Sequence, residues 1–189
     1  MENNIKIFQI GFPKCGTTSI AKFFNQNNIP AITWKKVQDS VMFENLKNNK
    51  LPLDGFEKYT VFTDSEFVRT EFTLLDQLYP NSKFIFNIRP LQDWINSRLN
   101  GKHAGGNLHV ISLKSTYRKY YGIKNDTEFI NLCKYEWLYH KSRIENYFVG
   151  DKKNKLLTIN IEKNPSSKIK EFLPEFNFFN LNFPHSNKS

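Results

Sequence analysis

The sequence predicts an α/β fold with a mostly parallel central sheet. Short apolar runs rich in β-branched residues alternate along the chain with segments whose apolar residues recur at helical spacing. Three residues of distinct chemistry, Gly11, Asp64 and Arg89, each directly follow one of these apolar runs. Because parallel strands end at one edge of a sheet, and ligands of open α/β folds bind there, we expect a functional site at this edge.

The predicted elements follow from these periodicities. Ile20, Phe23 and Phe24 mark one face of a helix that begins near Thr17. Further helices are marked by Val37, Val41 and Leu46, then by Phe72, Leu75, Leu78 and Tyr79, and near the end by Ile169, Phe172 and Leu173. The predicted strands are 5–10, 31–34, 59–63, 83–88 and 156–161.

The longest predicted helix covers residues 129–148, and the segment 100–107 before it predicts a mobile loop that carries Lys102 and His103. His140 lies on the apolar face of the helix, where a histidine more often belongs to the core than to a catalytic site. That face repeats at alternate spacings of three and four: Ile130, Cys133, Trp137, His140, Ile144 and Tyr147.

Length and composition indicate one domain spanning residues 1–189, long enough to bury about 70% of its unfolded surface. Hydrophobic residues make up 39% of the chain, and 18 phenylalanines provide ample material for a core. The net charge of +9 indicates an anionic partner. The basic residues are scattered rather than gathered into one arm, so we do not expect a nucleic-acid partner.

We expect a cytoplasmic protein without a membrane span. Cys15 and Cys133 are too few for a disulfide framework. The first predicted strand begins at Ile5, which leaves no room for a signal peptide. No stretch approaches the roughly 20 apolar residues of a membrane-spanning helix. The sequence does not indicate an oligomeric state.

The segment between the first strand and the first helix, residues 11–16, is called the glycine loop. Gly11 and Gly16 stand five positions apart, so the backbone N–H groups and the positive end of the helix are aimed at an anion. The spacing is that of a nucleotide P-loop, but Thr17 stands where the P-loop has its lysine. The lysine of this chain, Lys14, lies inside the loop. That placement suits a donor with one 5′-phosphate and a group that leaves from it.

The stretch Pro-Lys-Cys-Gly-Thr-Thr-Ser resembles the 5′-phosphosulfate loop of sulfotransferases that use 3′-phosphoadenosine-5′-phosphosulfate (PAPS). The segment 84–97 is similar to the 3′-phosphate motif of that family, in which a strand ends in Arg89 and Ser97 follows eight residues later. Weaker similarities lie at 155–173 and at 183–187, the latter to compact bacterial-type members. The resemblance therefore spans nearly the whole chain.

This resemblance implies a three-layer, sulfotransferase-like fold with a P-loop, in which sulfate passes from PAPS to a hydroxyl or amine of a carbohydrate or small molecule. Adenosine 3′,5′-bisphosphate is then the product, and no metal is required. Lys14 would be catalytic, stabilising the charge on the leaving phosphate. The residues implied in binding the nucleotide are Pro13, Lys14, Cys15, Gly16, Thr17, Thr18, Ser19, Arg89 and Ser97. Many members have an aromatic residue at the position of Ser19, so the adenine contact must come from elsewhere.

The general base has several candidates. Asp64 follows a predicted strand and is the catalytic candidate we name, although it could equally cap a helix. Glu66 and His103 are the other candidates. Arg89, in turn, could form an ion pair with Asp93 instead of binding phosphate. Two other functions stay open: a small P-loop kinase, and a non-catalytic nucleotide-binding or interaction protein with the same fold.

Overall fold

The computed structural model describes residues 5–33, 38–99 and 120–184. Several sequence predictions fall outside these residues. They are the end of the second strand at Trp34, the helix marker Val37, the loop 100–107 with Lys102 and His103, and the end of the similarity at 185–187.

Five strands form one sheet in which all pairings are parallel, so the predicted α/β fold with a parallel sheet is confirmed. Their order is β2-β3-β1-β4-β5, which places β1 in the middle. The strands are β1 (Ile7–Gln9), β2 (Ala31–Thr33), β3 (Val61–Thr63), β4 (Lys83–Ile88) and β5 (Leu156–Asn160).

Helices flank the sheet. None of the helices in the described ranges is long and apolar enough to cross a membrane. The helices are α1 (Thr17–Gln26), α2 (Gln38–Lys47), α3 (Glu66–Thr70), α4 (Phe72–Leu78), α5 (Leu91–Leu99), α6 (Asp126–Tyr147) and α7 (Ser166–Phe172), with short 3₁₀ segments at Gly150–Lys155 and Ile161–Lys163.

An aromatic layer joins β1 to both of its neighbouring strands. Phe8 is fully buried between its two strand neighbours, with its ring centroid 5.7 Å from Phe62 and 5.5 Å from Phe84. All three rings lie in register across β3, β1 and β4. Burying a phenylalanine side chain contributes about 1.5–3 kcal/mol, so this layer is a major part of the core.

The apolar face predicted for α1 is confirmed, because Ile20, Phe23 and Phe24 are fully buried. The C-terminal segment covers this face: the ring of Phe178 stacks 5.5 Å from that of Phe23. The side chain of Asn27, at the end of α1, donates to the carbonyl of Asn180 and accepts from its N–H. The side-chain amide of Asn27 therefore attaches the C-terminal segment to the first helix at Asn180.

The chain divides into two compact units. Met1–Ile88 with Asp151–Ser186 forms the first, which contains the whole sheet, and Arg89–Gly150 with Asn187–Ser189 forms the second. The prediction of a single domain stays a prediction.

Within the second unit α5 packs on α6. The indole rings of Trp94 and Trp137 lie 5.0 Å apart, and Arg98 stacks 4.8 Å above Trp94 while pairing with Glu136. His140 is only 3% exposed on the same helix, which confirms its prediction as a core histidine.

Gly11 marks a close approach of two backbones just after β1. A Cβ atom at this position would lie 2.2 Å from Oδ1 of Asn87 and 2.3 Å from the carbonyl oxygen of Asn87. Asn87 belongs to β4, which is hydrogen-bonded on both sides to β1 and β5. Its backbone therefore has little freedom to move away.

We expect Gly11→Ala to lower the free energy of unfolding by about 2–4 kcal/mol, because the added methyl group collides with a strand backbone. Gly55→Ala is the control: its φ is +88° but no atom lies within 4 Å of the added Cβ, so about 1–2 kcal/mol is expected. Urea denaturation of both variants measures the difference. An equal loss in the two variants would contradict the close approach.

Candidate functional site

The glycine loop connects β1 to α1 in an unusual backbone conformation. Gly16 is the N-cap of α1 with φ 83° and ψ 26°, and Lys14 inside the loop has φ 70°. Asp64, which follows β3, also has a positive φ, of 57°. Left-handed residues other than glycine are uncommon and concentrate at functional sites, where the surrounding structure holds them in place.

Glycine at the N-cap leaves the start of α1 without a side-chain cap. The first N–H groups of a helix have no intrahelical acceptor, and the positive end of the helix dipole lies there. No acidic residue occurs in the first turn of α1. The loop and this first turn therefore form a suitable place for an anion.

Two buried amide side chains connect the ends of three strands. Gln9 and Asn87 are 1% and 0% exposed. Gln9 donates from Nε2 to Oδ1 of Asn87 and, at 2.8 Å, to the carbonyl of Gly11. Its Oε1 accepts from the backbone N–H of Asp64 at 2.9 Å. Asn87 donates from Nδ2 to the carbonyl of Cys15 at 2.7 Å. These bonds fix the glycine loop and Asp64 relative to each other.

Gln9 and Asn87 were not predicted as site residues from the sequence. The available signal is that each is an amide inside an otherwise apolar strand, where an unpaired polar group costs about 1–3 kcal/mol. Such a residue indicates a buried hydrogen-bond network, but the pattern alone does not reveal its partners.

Lys14, Thr17 and Asp64 come together as three of the predicted site residues. The Thr17 hydroxyl donates a hydrogen bond to the Asp64 carboxylate. Burial raises the pKa of Asp64 above its ordinary value; the Thr17 bond and the charge of Lys14 oppose this shift, and the charge of Asp39 adds to it. Burial also lowers the pKa of Lys14, and the charge of Asp64 partly restores it. Lys14 and Asp64 thus interact electrostatically, and burial shifts their two pKa values toward one another.

The helix-cap alternative for Asp64 is wrong. The N-cap of α3 is Ser65, whose hydroxyl accepts from the N–H of Val68 at 3.1 Å. Asp39 supplies a second cap from α2, because its carboxylate accepts from the Ser65 hydroxyl and, at 3.0 Å, from the N–H of Glu66. These two residues satisfy the start of α3, so the Asp64 side chain is available for another role.

The other candidates for the general base differ from Asp64. The Glu66 side chain is 57% exposed and pairs with Arg69 one turn later on α3. The Arg69 guanidinium in turn stacks 4.8 Å above the ring of Phe12 in the glycine loop. His103 lies outside the described residues. Asp64 is therefore the candidate whose carboxyl group contacts the start of α1.

The remaining predicted site residues fall in two places. Arg89 and Ser97 belong to the second unit, where both are half-buried and Ser97 lies on α5. Their role in binding a 3′-phosphate stays a prediction, as does the alternative pairing of Arg89 with Asp93. In the first unit Pro13 is exposed, Lys14, Gly16 and Thr18 are half-buried, and Cys15, Thr17 and Ser19 are buried.

Within residues 5–33, 38–99 and 120–184, no group of three or more His, Cys, Asp or Glu side chains could hold a metal ion. No protein-family model matches the sequence, and no curated protein matches it either. The chemistry of the site is therefore deduced from its own residues.

The raised pKa of Asp64 predicts how Asp64→Asn changes stability with pH. The unfolded carboxyl titrates near its ordinary pKa of about 3.9, and the folded one titrates higher. Between these two values the folded state binds more protons, so wild-type stability falls as the pH rises through this window. Asparagine tolerates the left-handed backbone and carries no charge. The variant should therefore gain stability relative to wild type as the pH rises.

Urea unfolding of both proteins across this window measures the effect. The unfolding free energy of the variant minus that of wild type should be largest at pH values above the pKa of Asp64 in the folded protein. A difference that moves against the variant as the pH rises would show that the folded pKa of Asp64 is lowered rather than raised.

Proposed function

We propose that this protein is a sulfotransferase that moves the sulfuryl group of PAPS to a hydroxyl or amine acceptor, either a carbohydrate or a small molecule. The observation that carries the proposal is the charge interaction between Lys14 and Asp64 at the start of α1, where the Thr17 hydroxyl also bonds to Asp64. A three-layer, sulfotransferase-like architecture with the glycine loop as its P-loop belongs to the same proposal.

The strand order supports a site at this point of the sheet. From β1 the chain goes to β2 and β3 on one side, and then to β4 on the other side of β1. A reversal of this kind opens a crevice at the carboxyl ends of the central strands, and ligands of open α/β folds bind there. Gln9, Asp64 and Asn87 lie at or next to these strand ends.

Binding of the 5′-phosphate is assigned to the glycine loop and the first turn of α1. The N–H groups of Gly16, Thr17 and Thr18 are the unpaired donors expected at a helix start. Lys14 adds a positive charge from within the loop. Arg89 and Ser97 are assigned to the 3′-phosphate, because a guanidinium offers a planar pair of donors to a phosphate group.

PAPS supplies a sulfuryl group whose bond to the 5′-phosphate breaks as the acceptor oxygen or nitrogen bonds to sulfur. The protein must then stabilise negative charge on the bridging oxygen and accept the proton of the acceptor. Lys14 provides the positive charge. Asp64 accepts the proton, because burial brings its pKa closer to neutrality, which improves a general base.

The position of Thr17 favours this reaction over phosphate transfer from ATP. In a P-loop kinase this position holds the lysine that reaches the terminal phosphates. Here its hydroxyl instead donates to Asp64. A kinase and a non-catalytic nucleotide-binding protein are the alternatives that the two experiments below distinguish.

Lys14→Ala should slow the hydrolysis of PAPS by about a hundredfold or more, the scale of losing one preorganised stabiliser of transition-state charge. Binding of adenosine 3′,5′-bisphosphate should weaken much less, because the backbone N–H groups still hold the phosphate. Hydrolysis requires no knowledge of the acceptor. Lys22→Ala, at an exposed position on α1, is the matched control and should behave as wild type.

Equal hydrolysis by wild type and Lys14→Ala, with both proteins binding the bisphosphate, would mean that the glycine loop binds the nucleotide but does not contribute to catalysis. That outcome would favour the non-catalytic alternative.

Adenosine 3′,5′-bisphosphate should bind about tenfold to a hundredfold more tightly than AMP, the value of one charge-assisted contact to the 3′-phosphate. Arg89→Ala should remove this preference and leave AMP binding unchanged. Arg143→Ala is the control, because it also removes an arginine from the second unit. The guanidinium of Arg143 lies 5.9 Å from the ring of Tyr139 and is not assigned to the phosphate. Calorimetry in which magnesium ATP binds as tightly as the bisphosphate would instead favour the kinase.

A further inference from the structure

The peptide group between Cys15 and Gly16 has its orientation set by a residue outside the glycine loop. Asn87 donates to the carbonyl of Cys15 at 2.7 Å. In a trans peptide the C=O and the following N–H lie in one plane and point in opposite directions. No cis peptide bond occurs in the described residues. The bond from Asn87 therefore turns the N–H of Gly16 away from β4.

The loop backbone alone would not choose this orientation. Gly16 has φ 83°, and a half-turn of the preceding peptide plane would bring it to a negative φ that glycine adopts as readily. A larger residue is disfavoured here, because φ is +83° and the side chain of Ile161, whose Cδ1 would lie 2.4 Å from an added Cβ, would have to move. Glycine thus permits two orientations of one N–H group, and the hydrogen bond from Asn87 selects one of them.

The hydrogen bonds around Gln9 and Asn87 also determine which way the side-chain amide of Asn87 points. The backbone N–H of Asp64 can only donate, so Oε1 of Gln9 must face it. Nε2 of Gln9 then faces Oδ1 of Asn87, which leaves Nδ2 of Asn87 to face the carbonyl of Cys15. Each of these hydrogen bonds is donated in the same direction, from Asp64 through Gln9 and Asn87 to the glycine loop. Rotating either side-chain amide by 180° would place two donors or two acceptors against each other.

We propose that Asn87 is a positioning residue that aims the N–H of Gly16 at the anion in the glycine loop. Through Gln9 the same relay sets where Asp64 stands relative to that anion. The assignment of the anion as the 5′-phosphate rests on the proposed function; the orientation of the N–H group would serve any phosphate or sulfate bound there.

The experiment compares Asn87→Ala and Asn87→Asp with wild type in binding adenosine 3′,5′-bisphosphate and inorganic phosphate. Both variants lack the Nδ2 donor, but only the second adds a charge. Each should bind both anions about tenfold more weakly or worse, the fold-change for losing a hydrogen bond to a charged group. In amide NMR the Gly16 resonance should shift on anion binding in wild type and not in the variants.

Asn27→Ala and Asn27→Asp are the matched controls. Asn27 is also a buried asparagine whose amide bonds to backbone groups, but those groups are Phe23 and Asn180, away from the glycine loop. These variants should lose stability and keep both anion affinities within about twofold of wild type, as expected for a distant, independent site. A general loss of packing would affect the two pairs alike.

Folded Asn87 variants that bind the anions as wild type does would overturn the proposal. Weakening by Asn87→Asp alone would also overturn it, because the cause would then be the added charge. If neither variant folds, the wild-type titration decides: a Gly16 resonance that stays in place while the anion binds overturns the proposal. Asn87-dependent phosphate binding without any turnover of PAPS would uphold it and contradict the sulfotransferase assignment instead.

Discussion

The hydrogen bond between the side chains of Gln9 and Asn87 is the interaction on which the site depends. Two amides placed inside a parallel sheet would destabilise it by about 1–3 kcal/mol each if they were left unpaired. They are paired with each other and with backbone groups of Gly11, Cys15 and Asp64. The requirement to satisfy buried polar groups thus forces the glycine loop and the residue after β3 into fixed places.

Two charged residues, Lys14 and Asp64, belong to the site that these hydrogen bonds fix. Lys14 and Asp64 are held in left-handed conformations, which other interactions of the fold must maintain. Burial disfavours both charges, while their mutual attraction and the Thr17 hydroxyl partly offset that penalty. A carboxyl group with a raised pKa and a cation that interacts with it electrostatically combine a proton acceptor with a stabiliser of negative charge. Transfer of a charged group needs both functions, which is why the proposed reaction suits this arrangement.

Much of the fold could be predicted from the sequence, because its signals are local. β4 has the predicted bounds, and α1 follows the predicted stripe through Phe23. The five-residue helix α3 was missed because it is too short to show a periodicity, and its cap comes from Asp39 on another helix. Gln9 and Asn87 are 78 positions apart, so only the folded sheet brings them together. Asp64 was identified as a candidate because it follows a strand directly, whereas its contact with Thr17 depends on the parallel pairing of β1 and β3.

A crystal structure of the complex with adenosine 3′,5′-bisphosphate would show directly whether the glycine loop binds the 5′-phosphate. We expect the 5′-phosphate about 3 Å from the N–H groups of Gly16 and Thr17 and from Nζ of Lys14, with the Asp64 carboxyl facing the place that the sulfuryl group would occupy. A 5′-phosphate bound away from Lys14, or a Gly16 N–H turned away from it, would contradict the proposed binding site.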